Sequence, residues 1–322
     1  MGDPAGVGPE VIIRALLQSS AVRDSCIPVV IGDRVVMEEA VRLPGLYVKL
    51  NIIRTPEEAK ATPGSIDMID LAALNSFQKK MPTAEGGRAS AAYIRKAVEL
   101  AVNKQVDAMV TAPISKEALK MAGLHWPGHT EMIAELTGTK DYAMMLAGGP
   151  LRVILVTIHT ALRNVPDLVT KEKVLKTIRL AKKACSMLAI GHPVIAVAGL
   201  NPHAGESGIF GNEEIREIIP AIEAAGLEGI QATGPFPPDT VFIKAYKGEV
   251  DIVVCMYHDQ GLIPLKMIAF DKGVNVTIGL PIIRTSPDHG TAYDIAWSGS
   301  TGKADPSSML EALKLASHMI PA

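Results

Sequence analysis

RVILVTIHT, residues 152–160, is a run of apolar and largely β-branched side chains that ends at a histidine. PVIAVAGLNPH (193–203) and VDIVVCMYHDQ (250–260) have the same make. A strand with one wet face alternates apolar and polar residues. These runs do not alternate, so they read as strands buried on both faces of a mostly parallel sheet. Between the first two lies TKEKVLKTIRLAKKACSMLA (170–189), whose periodicity is helical. The alternation continues upstream. PVVIGD (28–33) reads as a strand before the amphipathic RVVMEEAVRL, and ASAAYIRKAVELAVNK (89–104) reads as a helix before the buried strand VDAMVTAP (106–113). SKEALKMAG (115–123) reads as a helix with Ser115 as N-cap and Gly123 as its stop. Strands alternating with helices predict an α/β protein. Residues 35–85 are the least regular, and the sequence shows no repeat, low-complexity tract or obvious linker.

The histidines carry the chemistry. His159, His203 and His258 each fall at or just beyond the C-terminal end of a buried-strand candidate, where ligands bind in open α/β sheets. One histidine so placed is usually a residue bonding nearby backbone. Three in matching places fit three imidazoles that hold a divalent metal and leave positions open for substrate. Asn201 and Glu206 surround His203, while Asp259 and Gln260 follow His258. WPGHTEM (126–132) puts His129 and Thr130 where a loop enters a helix, a natural anion site. The run 273–296 adds Asn275, Arg284, Asp288, His289 and Asp294. Lys266, Arg284 and His129 with Thr130 are candidates for a phosphate. His125, His192 and His318 lack such settings and read as surface or locally bonded residues.

The bulk numbers exclude other classes. A net charge of −2 gives no electrostatic footprint for nucleic acid or anionic membrane, and 4% aromatic residues leave no base-stacking surface. No apolar run approaches the roughly 18 residues of a membrane helix, and no signal sequence opens the chain. Cys26, Cys185 and Cys255 are odd in number and form no CxxC, which suits a reducing cytoplasm and argues against thiolate zinc. GxxxxGK[ST] is absent. The opening GVGPEV lacks the third glycine of GxGxxG and no strand precedes it, so a Rossmann-type dinucleotide site is disfavoured. In that opening, Gly6 and Gly8 read as positions with backbone conformations closed to other residues.

Taken together, GDPAGVGPE (2–10), PGHTE (127–131), GLNPHAGE (199–206), GPFPPDT (234–240), MYHDQGLIPLK (256–266) and GVNVTIGLPIIRTSPDHGTA (273–292) resemble the 4-hydroxythreonine-4-phosphate dehydrogenase, or PdxA, family of vitamin B6 biosynthesis. That family's fold is similar to isocitrate and isopropylmalate dehydrogenases, whose GDGIGPE and HGSAPDIAG are matched by GDPAGVGPE and HGTAYDIA. The resemblance implies two α/β/α domains with an interdomain active-site cleft. The first is discontinuous, 1–128 plus about 285–322, and the second spans about 129–284. It also implies a short strand before the opening loop, with Pro9 starting the helix. The sequence lacks that strand, which leaves the order of that sheet region open and suggests a start downstream of the family's.

The resemblance further implies that His159, His203 and His258 hold a divalent metal (Zn, Mg or Co) at a site shared between subunits of a homodimer. His129, Thr130, Lys266, Asn275 and Arg284 contact substrate. Asp239 in PPDTVF is a cleft residue and, with a metal-bound water, a candidate proton acceptor. Gly290 and Asp294 fall to the cofactor, NAD or else NADP. The implied reaction oxidises 4-phosphooxy-L-threonine to a β-keto acid that decarboxylates to 3-amino-2-oxopropyl phosphate. Relatives that act on D-threonate or D-erythronate 4-phosphate, giving dihydroxyacetone phosphate, are the alternative, to which TKDYAMM and HGTAYDIAW are similar. Phosphate acyltransferases of related fold need neither metal nor NAD, and the three strand-end histidines argue against them.

Overall fold

The computed structural model describes residues 1–18, 20–43, 45–299 and 304–321. They divide into two compact units, Met1–Lys140 with Leu280–Ile320, and Asp141–Gly279. The divisions thus fall about ten residues after 128 and a few before 285, because the helix that begins at His129 packs on a long helix of the first unit.

The first unit opens with α1 (Gly8–Gln18), α2 (Ser20–Ser25), β1 (Val29–Gly32), α3 (Arg34–Ala40), β2 (Lys49–Ile53) and β3 (Ser65–Asp70). Next come α4 (Ala84–Val102), β4 (Ala108–Val110), α5 (Lys116–Met121) and α6 (His129–Leu136). Ser115 caps α5, its hydroxyl accepting from Ala118 N–H at 3.1 Å, and Gly123 ends it at φ +74°. The irregular 35–85 stretch holds a helix and two strands. β1, β3 and β2 form a parallel sheet in that order. β3 defeats pattern reading because it buries an acid. Asp67 is 2% exposed and accepts from Lys60 N–H at 2.9 Å, Ala61 N–H at 2.8 Å and the Asn51 amide at 2.6 Å. Val11, Ile13, Met37, Met68 and Tyr93 lie in the core of this unit.

The opening residues cross from β1 to β4. The Met1 ammonium donates to Ile31 C=O at 2.9 Å, and Asp3 N–H donates to Pro113 C=O at 2.8 Å. Gly6 and Gly8 correct their sequence reading, since neither has a positive φ and only Gly2 of that loop does, at +80°. They are needed for space instead. A Cβ on Gly6 would stand 2.8 Å from Thr291 C=O, and one on Gly8 2.6 Å from Met1 C=O.

The second unit contains β5 (Ala143–Gly148), β6 (Leu151–Leu155), α7 (Val165–Leu168), α8 (Lys171–Met187), β7 (Ile195–Ala198), α9 (Ile219–Leu227) and β8 (Ala232–Phe236). It closes with α10 (Val241–Tyr246), β9 (Ile252–Cys255), α11 (His258–Ala269) and β10 (Val274–Ile278). Its strands run in the order β10-β5-β6-β9-β7-β8. Pairing is parallel from β6 to β8 and antiparallel across β10-β5-β6, so the sheet is mixed. The antiparallel part comes from a hairpin closed at Gly148↔Leu151, whose short turn the apolar pattern hides. β7 and β9 are buried at every residue, as their unbroken apolar runs require. The chain then returns to the first unit as β11 (Ile283–Pro287), parallel to β4, and α12 (Ser307–His318).

Candidate functional site

In the second unit, β6, β9 and β7 are adjacent and parallel, so their C-terminal ends share one edge of the sheet. His159 follows β6, His258 opens α11 after β9, and His203 follows β7. The His159 and His258 rings stand 5.7 Å apart between centroids. A zinc–imidazole bond of ~2.0–2.1 Å puts two rings on one ion at about this separation. His258 Nδ1 lies 2.6 Å from Asp259 Oδ1, a natural acceptor for a proton on Nδ1, and that tautomer keeps the lone pair on Nε2 as a metal-binding histidine needs. The pair therefore fits a divalent ion by donor chemistry and spacing.

His203 sits on an exposed turn, its ring 6.0 Å from that of Phe210. The turn is left-handed throughout, with φ of 53, 53, 81, 44 and 56° at His203, Ala204, Gly205, Glu206 and Ser207. Among the described residues, no group of three or more His, Cys, Asp or Glu side chains of this single chain is arranged around one ion. Glu206 is exposed, and Asn201 turns to Glu213 at 2.7 Å and Glu214 at 3.0 Å, so Asn201 shapes the loop. On the same unit Lys266 lies half-buried on α11, its Nζ 5.8 Å over the Phe270 ring. Asn275 on β10 carries a buried Oδ1 with no protein partner. Asp239 is exposed in the turn before α10.

In the first unit, His129 is the first residue of α6 and Thr130 the second, where the free N–H groups of the helix favour an anion. Arg284 on β11 is 3% exposed and donates through Nη2 to Thr111 Oγ1 at 2.8 Å. Burial pushes its guanidinium down to about 10. His129 is held well below the usual histidine range, first by burial and then by the charges of Arg284 and the Met1 ammonium, and its Nε2 is buried with no partner. His129 Nε2 is thus a buried, unpartnered imidazole nitrogen in the field of a buried cation.

The shift has a sign. Unfolded His129 takes up a proton below its ordinary value of 6.5 while the folded group stays neutral. Stability is therefore lost as pH falls below that value. Urea midpoints are expected to be lower at about pH 5.5 than at about pH 7.5, with the gap narrowing in His129→Gln. An unchanged gap would show that His129 is not the group responsible.

Gly290 and Asp294 are exposed on the loop after β11. That loop is fastened to the opening residues by buried acids. Asp3 accepts from Tyr293 OH at 2.9 Å, and Glu10 accepts from Trp297 N–H at 2.6 Å and Gly299 N–H at 3.2 Å. GDPAGVGPE and HGTAYDIA are thus one folded feature. His125 pairs with Glu135 at 3.0 Å, and His192 and His318 are exposed. Burial raises the Cys185 thiol to about 11 and raises Cys255 as well, so neither is poised as a thiolate.

The model of the family described as pyridoxal phosphate biosynthetic protein PdxA matches residues 24–316. The chain belongs to the PdxA family. It is 53% identical over 319 residues to a 4-hydroxythreonine-4-phosphate dehydrogenase of Desulfosudis oleivorans, covering 98% of this chain and 93% of the relative. It is 47% identical to a D-threonate 4-phosphate dehydrogenase of Pectobacterium atrosepticum, covering 99% of this chain and 97% of the relative. The crystal structure of a 4-hydroxythreonine-4-phosphate dehydrogenase from Klebsiella pneumoniae matches with a TM-score of 0.91 at 45% identity, covering 100% of this chain and 97% of that one. The α/β fold is therefore that of PdxA proteins. Two structural partners were not singled out by sequence, Thr111 in the first unit and Glu214 in the second. A buried acid or hydroxyl acting on backbone or on a cation has no spacing signature. The one cue was the acidic pair at 213–214 directly after a Gly-rich loop.

Proposed function

We propose that this chain oxidises 4-phosphooxy-L-threonine with NAD to a β-keto acid that decarboxylates to 3-amino-2-oxopropyl phosphate, in pyridoxal phosphate biosynthesis. The observation that carries the reading is the buried Arg284 beside neutral His129 at the start of α6, which suits a dianionic phosphate. Arg284, His129 and Thr130 bind that group in the first unit. In the second, Lys266 offers a cation and Asn275 an unpartnered carbonyl oxygen to the amino-acid end.

His159, His203 and His258 would hold a divalent metal (Zn, Mg or Co), and a homodimer completes the set across subunits. A metal held there would supply Lewis acidity to the substrate hydroxyl, and NAD would be the hydride acceptor. Asp259 keeps the His258 imidazole in the tautomer that presents Nε2. Asp239 takes the hydroxyl proton, and the loop bearing Gly290 and Asp294 meets the cofactor. That loop is rigid where it matters, since Tyr293 and Trp297 are pinned by Asp3 and Glu10. A β-keto acid loses carbon dioxide readily because its carbonyl accepts the electron pair.

The D-threonate relative supports a second substrate, in which a hydroxyl replaces the amino group at C2. The test is NADH formation with 4-phosphooxy-L-threonine, D-threonate 4-phosphate and D-erythronate 4-phosphate, each with and without chelator. Chelator-sensitive turnover of the first is expected to be the fastest. Faster turnover of either sugar acid moves the chain to the second reading, and no NADH from any of the three overturns both.

A further inference from the structure

The three histidine turns share a buried connection. Gln260, two residues after His258, is 6% exposed. Its Oε1 accepts from Met256 N–H at 2.6 Å, just past the end of β9. Its Nε2 donates to Gly199 C=O at 2.7 Å, just past the end of β7 and at the base of the His203 turn. The other side of Met256 reaches the third turn, where its carbonyl accepts from Thr157 Oγ1 at 2.7 Å and Thr157 N–H at 3.2 Å. Thr157 lies two residues before His159. Below Gly199 the strap is completed by buried Glu214, whose Oε1 accepts from Leu200 N–H and Asn201 N–H, both at 2.8 Å. The path therefore runs Thr157–Met256–Gln260–Gly199, then through the next two residues to Glu214. It is satisfied at each link, and one side chain joins two of the turns directly.

We propose that Gln260 is a positioning residue that locks the turns bearing His159, His203 and His258 to one another, so that metal affinity depends on a side chain that touches no metal. The inference rests on the reading of those three histidines as ligands. A side chain that only filled space would be replaceable by any group of equal volume. Gln260 instead bonds backbone just past the ends of two neighbouring strands, and a slip of either turn breaks a buried hydrogen bond whose partner has no water to replace it.

The test uses the full-length, metal-loaded dimer and zinc itself, titrated against a chelator. Gln260→Met keeps the volume and removes both bonds, and its zinc affinity is expected to fall by about 10–100-fold, the range for lost outer-sphere partners. The visible spectrum of the cobalt-substituted protein is expected to change with it. Gln260→Glu keeps the acceptor for Met256 and sets a carboxylate oxygen against Gly199 C=O, so it tests the cross-strand link even where Gln260→Met does not fold. A lower melting temperature with zinc affinity and cobalt spectrum unchanged would overturn the proposal and leave the strap a purely structural one. His258→Ala run in parallel separates the two levels. If it too retains full zinc affinity, the ligand reading itself has failed.

Discussion

His258→Ala is expected to leave the protein folded and without its metal, with NADH formation reduced by more than the ~10–100-fold typical of losing an outer-sphere partner. The fold survives because little is built on this ring. It is partly exposed, its hydrogen bond goes to exposed Asp259, and it opens α11, where alanine is well tolerated. The metal is expected to be lost, because His258 is one half of the only imidazole pair in ring contact among the described residues. His159→Ala should behave alike. His203→Ala tests the more exposed member, which the single chain does not bring to that pair. Elemental analysis of the purified variants decides, and full metal content in His203→Ala or His258→Ala would remove that residue from the ligand set.

Arg284→Ala is expected to weaken substrate binding by roughly ten- to over a hundredfold, the equivalent of one charge-assisted hydrogen bond at about 1.5–3 kcal/mol. Binding of NAD should change little. The buried guanidinium donates to Thr111 and is lowered by desolvation, so an anion that reached it would meet a cation already stripped of water. Arg284→Lys keeps the charge but loses the planar fork that meets Thr111 and phosphate oxygens together, so it too should bind poorly. Lys266→Ala should show a smaller loss, because Lys266 is only half-buried and better solvated. Substrate titration at saturating NAD measures all three. Unchanged affinity in both Arg284→Ala and Lys266→Ala would take these residues out of the site.

How much of this was legible in the sequence depended on whether a feature repeats along the chain. The runs that became β7 and β9 were plain, because burial on both faces writes apolar residues at every position, and β6 was nearly so, broken by Arg152 alone. The helix read over 170–189 was plain from its periodicity, and the structure runs it over Lys171–Met187 with Thr170 as its N-cap. β2 and β3 were hidden, since Asn51 and Asp67 break the apolar run to form a partly buried bond of 2.6 Å with each other. The β5–β6 hairpin was hidden because its antiparallel pairing depends on a two-residue turn. At the site, the histidines could be read from their place after strands, and His129 from the loop entering α6. Lys266, Asn275 and Arg284 could be picked out as polar residues in the loops and runs after those strands, and the family's motifs added the expectation that they contact substrate. Thr111 acts through its bond to Arg284, and Glu214 through bonds from Leu200 and Asn201, partners separated in sequence that no local pattern records.

The left-handed turn at 203–207 also bears on how such a protein drifts. Four of its five residues are not glycine, and each is held in a conformation that L side chains disfavour by roughly 1–2 kcal/mol. Glycine at 204, 206 or 207 would relieve that strain, yet it would also let the backbone under His203 sample other shapes. Selection for heat tolerance and selection for catalysis therefore pull this segment in opposite directions. A descendant freed from its chemistry should relax here early, and glycines accumulating across this turn would mark a lineage that has kept the scaffold and abandoned the reaction.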